Sequence, residues 1–78
     1  MIDPHITPQI AADVLASRNG GYASSLFVHH LLKAIASAST PDRASLAAIY
    51  PGYVAAWEIA AFTDSGTDIL RVRARDSH

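Results

Sequence analysis

The sequence predicts a mainly α fold: a small bundle of four short helices with an extended C-terminal tail. Three observations carry that expectation. Apolar residues recur at helical spacing through most of the chain. Prolines and glycines fall between these runs, where helices start and stop. A period of two occurs once, near the C-terminus, in DILRVRARD. At 78 residues the chain is one domain, 1–78, and it buries only about 60% of its unfolded surface. Half its residues are apolar but fifteen are alanine, which packs helices closely while adding little buried area, so self-association is an expected source of further burial.

Residues 1–6 are too short and Pro-interrupted to be more than an N-terminal arm. Thr7 and Pro8 mark the first helix start, because the Thr hydroxyl accepts an orphan N–H and Pro fits the first turn. Over residues 8–18, Ile10, Ala11, Val14 and Leu15 form the apolar side, with Gln9, Asp13 and Ser17 opposite. Gly20 and Gly21 supply the left-handed stop, and Arg18 suits the helix's negative end.

The stretch from Tyr22 to Ala38 is the longest periodic run and the expected centre of the fold. At about 100° per residue, Val28, Leu31, Leu32 and Ile35 share one arc, with His29, His30, Lys33 and Ser37 on the other side, broken by Leu26. Thr40 and Pro41 then cap and open a third helix, 41–50, with Leu46, Ile49 and Tyr50 inward. Pro51 and Gly52 end it, and Pro51 holds Tyr50 out of helical geometry. A fourth helix, 52–63, is apolar around nearly its whole circumference, so it calls for burial on every side. The expected core is Val28, Leu31, Leu32, Ile35, Leu46, Trp57 and Phe62.

The turn cluster Thr63 to Gly66 opens the tail, 67–78. From Asp68, Leu70, Val72 and Ala74 alternate with Arg71, Arg73 and Arg75, a strand pattern with no second strand in the chain to pair with. Such a segment adds to a copy of itself or to a partner's sheet edge, lies extended over the helices, or forms a short fifth helix.

Composition removes several functions. Without cysteine there is no disulfide, thiolate metal site or thiol catalysis, which fits a reducing cytosol. No run approaches the ~20 apolar residues of a membrane span, and the N-terminus lacks a signal-peptide pattern, so a cytoplasmic protein is expected. A net charge of −1 speaks against general nucleic-acid affinity.

Individual chemistry is equally sparse. His29 and His30 point about 100° apart on a helix and cannot share a metal within one copy. His5 and His78 lie in the arms. The serines occupy helix ends or helices, none in a nucleophile elbow. DSGTD lacks the alternating oxygen ligands of a calcium loop, and Asn19, Gly20 and Gly21 lack the strand and lysine of a phosphate loop. No enzyme, cofactor or metal site is expected.

The pattern HHLLKAIASASTPDRASLAAIYPGYVAAWEIA joins an apolar helix, a short break, an Asp-Arg pair and a Tyr-Pro-Gly-Tyr-Val turn into a further helix. Over roughly residues 20–70 it resembles small uncharacterised proteins encoded by actinobacterial bacteriophages. The resemblance implies a phage-encoded cytoplasmic protein and brings no catalytic residues with it.

The functional expectation is a self-associating interaction module, a dimer first, that also meets a host or phage protein. Its candidate surface is Tyr53, Trp57, Ile59 and Phe62 on the fourth helix, with Leu70, Arg71, Val72, Arg73 and Arg75 on the tail. The alternative is a helix-turn-helix regulator, with the second and third helices as its pair and RVRAR as a basic arm.

Overall fold

Capping chemistry places the first helix, α1, at Pro8–Arg18. The Ile10 N–H donates to Thr7 Oγ1 at 3.2 Å, and Gly20 takes φ +82° after the helix. The Gly21 N–H reaches the Ala16 carbonyl at 2.8 Å and the Gly20 N–H that of Ser17 at 3.3 Å, the paired bonds of a Schellman stop. The computed structural model describes residues 5–21 and 23–75. Residues 1–4 of the expected 1–6 arm, the expected helix start at Tyr22 and the tail end at 76–78 lie outside the described residues.

The second helix, α2, is Leu26–Ser37, because Ser25 caps it by accepting the Val28 N–H at 3.2 Å. The third, α3, is Thr40–Ile49, and its cap is Ser39 rather than Thr40, with the Asp42 N–H donating to Ser39 Oγ. Tyr50, at φ −126° and ψ 63°, is held out of helical geometry before Pro51 and joins α3 to α4, Pro51–Phe62.

The tail corrects the expectation of an extended strand: Gly66–Arg75 is a fifth helix, α5. The alternation of Leu70, Val72 and Ala74 coexists with a spacing of four, Gly66, Leu70 and Ala74. The second pattern prevails because it presents Leu70, fully buried, to the bundle, while Val72 stays 53% exposed. No strand occurs among the described residues.

The hub of the bundle is α4 rather than the amphipathic α2. It packs against each of the other four helices, and α5 lies along both α1 and α4. This answers the all-round apolarity of α4 within one chain. Val54, Ala56 and Ala60 are buried, most of its other residues are half-buried, and only Pro51, Glu58 and Phe62 are exposed. The α2 arc of Val28, Leu31, Leu32 and Ile35 is buried as expected. Leu46 and Trp57 are half-buried, and Ile6, Val14 and Leu70 join the core. Phe62 does not; it is 68% exposed at the last turn of α4, and Ile49 at the end of α3 points outward likewise.

Two glycines permit the close approaches of this packing. A Cβ on Gly52 would strike the His5 carbonyl where the N-terminal segment crosses the start of α4. One on Gly66 would strike the Ile59 carbonyl, where α5 leaves the α4 backbone. The segment before α1 is thereby part of the fold: Ile6 is fully buried, and its carbonyl accepts the Arg73 Nε–H at 2.8 Å. No helix is long and apolar enough to cross a membrane among the described residues.

Candidate functional site

The expected interaction residues do not form one surface. Leu70 is core, and Arg73, half-buried, ties α5 to the Ile6 carbonyl. Arg71 is exposed and pairs with Asp68 at 2.7 Å, three residues before it on the same helix. Val72 and Arg75 are exposed on α5. Because α5 spends its backbone groups on its own helical bonds, it offers no edge for strand addition.

On α4 the four expected residues separate into three settings. Tyr53 is half-buried beside Asp13 of α1. Burial raises its phenol pKa above the ordinary 10.0, and the charge and hydrogen bond of the Asp13 carboxylate add to the rise. Ile59 and Phe62 share a shallow groove with Ala55, Glu58 and Thr63. Trp57 lies under Arg43, whose guanidinium carbon is 4.4 Å from the indole centroid, and meets Phe62 edge-on at 5.5 Å.

In the helix-turn-helix alternative, Arg43 is one of the few polar residues that α3 could offer to a partner. Instead it turns inward from α3. Its Nη2–H donates to the Ala38 carbonyl at 3.0 Å and its Nε–H to that of Ile35 at 3.3 Å. It thus closes the end of α2, a helix without a basic residue in its last turn, while stacking on α4.

Asp13 is the second correction. Expected on the wet side of α1, it is 3% exposed. One carboxylate oxygen accepts from Gln9 Nε2 at 3.0 Å and from the Ser24 N–H at 2.9 Å, and the other accepts from Ser24 Oγ at 3.0 Å. Four residues of helical pattern cannot reveal this, because its main partner lies eleven residues away across a turn. The arrangement is a staple between α1 and the entry to α2, since a buried carboxylate persists only with such donors.

A further exposed apolar surface lies between α2 and α3. None of the ten residues of α3 is buried, although the helix carries Leu46 and Ile49. Ile49 is 69% exposed on the rim of an open groove of about 500 Å³. Ala34, Ser37 and Ala38 of α2 line its other side, and Asp42 is its one ionisable group. Next to Ile49, the Tyr50 ring packs on the 59%-exposed Phe27 with centroids 6.0 Å apart, which extends the apolar strip along α2.

Comparison with protein-family models, curated proteins and solved structures gives no match. Function therefore rests on the chain's own surfaces. No group of three or more His, Asp or Glu side chains suited to a metal occurs among the described residues. His29, expected on the wet face of α2 with His30, is half-buried instead, because that side of the helix faces the end of α1.

Proposed function

We propose that the chain is a self-associating helical interaction module whose contact is the α2–α3 groove, with a second copy of the same chain as occupant. The observation that carries this is α3, which sits on the bundle with no buried residue and with Ile49 projecting from a nearly uncharged groove. The groove is self-complementary. Ile49 projects from one side and small residues, Ala34, Ser37 and Ala38, line the other. A two-fold axis over the groove lets each Ile49 enter its partner's small-residue side, as an isologous interface requires. A net charge of −1 sets up little repulsion between copies.

The expected α4 and tail surface yields to this one, because most of α4 is covered within the chain and the tail is packed as α5, which leaves Phe62 and Val72 exposed on separate helices. The helix-turn-helix reading loses support as well. Of the polar residues on α3, Arg43 is committed to the α2 carbonyls, and in the RVRAR segment Arg73 is committed to Ile6 and Arg71 to Asp68. A non-enzymatic role, a cytoplasmic setting and the phage origin suggested by residues 20–70 belong to the same proposal.

Covering the exposed part of Ile49 is worth about 1–2 kcal/mol per protomer, so the pair contributes about 2–4 kcal/mol to association. Light scattering on a size-exclusion peak at micromolar concentration tests this. The expected mass is twice the 8.3 kDa of one chain, and Ile49→Lys is expected to return it to the monomer with unchanged helical circular dichroism. A monomeric parent, or a dimer indifferent to Ile49→Lys, refutes the reading.

A further inference from the structure

A second concavity shares no residue with the α2–α3 groove. It is a cavity of about 330 Å³ between the C-terminal turn of α1, the middle of α2 and Trp57 of α4. Trp57 and Ala36 give it an apolar wall over the buried Val14 and Leu32, and Arg18, His29 and Lys33 are its titratable groups. In a chain with seven acidic residues against six Lys and Arg, a cavity with two of those cations, a histidine and no carboxylate inverts the overall balance.

The last turn of α1 is the negative end of its dipole, which Arg18 opposes, and the carbonyls of Leu15, Ala16 and Ser17 there are already taken by the N–H groups of Asn19, Gly21 and Gly20. Lys33 reaches the rim from α2 on an exposed stem, and His29 stands one turn before it, half-buried. Apolar walls with a few convergent polar groups are what a small-molecule site provides, and this volume is at the lower end of the range for such sites, about 300–1,000 Å³.

We infer that this cavity binds a small organic anion: a single aromatic ring or short alkyl chain carrying one carboxylate or phosphate. The apolar body lies against Trp57 and Ala36, and the anionic head meets Lys33 and Arg18. The low-dielectric wall strengthens that attraction relative to open solvent, and added salt weakens it. The inference is independent of self-association, since neither Lys33 nor Arg18 belongs to the groove.

Trp57 is the only tryptophan, so its indole N–H resonance reports the site without ambiguity. The full chain, labelled with nitrogen-15, is titrated with hexanoate and with phenyl phosphate, and separately with hexylammonium. Both anions are expected to shift the Trp57 indole and the Gly20 and Gly21 amides saturably below about 10 mM, the range of a weak, fragment-sized ligand. Hexylammonium is expected to leave them in place. Lys33→Glu, on an exposed side chain, is expected to weaken anion binding by about tenfold or more with the rest of the spectrum unchanged. Three results overturn the inference: no shift with either anion, equal shifts with hexylammonium, or equal affinity in Lys33→Glu and parent. Phenyl phosphate binding without hexanoate binding narrows the head group to phosphate and still supports the site.

Discussion

Replacing Leu70 and Val72 by alanine, one at a time, separates the helical C-terminus from the strand its alternation suggests. As a strand, residues 70 and 72 share a face and both substitutions should be costly. As α5, the two positions differ. Leu70 is fully buried against the bundle, and Leu→Ala at such a site costs about 2–5 kcal/mol. Val72 is 53% exposed, so its truncation loses under about 1 kcal/mol of burial. Alanine regains roughly 0.5 kcal/mol of helix propensity there, which leaves a net change near zero. Against a total stability of about 4–12 kcal/mol for a chain of this length, the first loss is severe and the second negligible. Thermal melts by circular dichroism, at one fixed protein concentration, read both. Leu70→Ala is expected to lower Tm by at least about 10 °C, and Val72→Ala to move it by no more than a few degrees. A Val72→Ala loss as large as that of Leu70→Ala would refute the helical account of residues 66–75.

Two further outcomes follow from the polar contacts. Arg43→Met keeps much of the side-chain stem but removes the donors to the Ile35 and Ala38 carbonyls and the charge over Trp57. It is expected to cost about 2–3 kcal/mol in urea unfolding, and a parent-like midpoint would show that the α2 terminus does not depend on it. The raised Tyr53 pKa means that the folded chain holds the phenolic proton more tightly than the unfolded chain. Stability is therefore level in this respect below the ordinary value of 10.0 and falls as pH rises above it. Tyr53→Phe is expected to flatten that alkaline decline, measured as Tm from pH 9 to 11 (about the span of phenol titration); an unchanged slope would place the phenol away from Asp13.

How much was legible in the amino-acid order depends on the range of the interaction concerned. Helix ends were largely legible because capping is local. Thr7 with Pro8, Gly20 with Gly21, and Pro51 after Tyr50 each act within four residues of where they stand, and the structure uses all of them. Where two caps competed within a few residues, as with Ser39 and Thr40, sequence alone settled the helix and not its first residue. The buried arc of α2 was legible too, since four large apolar residues at one helical spacing leave a single way to hide them.

The candidate surfaces were less legible, because exposure is a property of neighbours. Phe62 and Ile49 are as apolar as Leu32, yet at the ends of their helices the other elements leave them mostly uncovered. Asp13 reads as a surface charge, and both it and Arg43 are turned inward by partners that sequence separation conceals: a serine eleven residues away, and carbonyls of the preceding helix with an indole from the next. The C-terminal segment shows the same division. Its sequence is compatible with both a period of two and a period of four, with little local preference between them. Contact with α1 and α4 settles it as a helix, because that periodicity buries Leu70 and sets Gly66 against the α4 backbone.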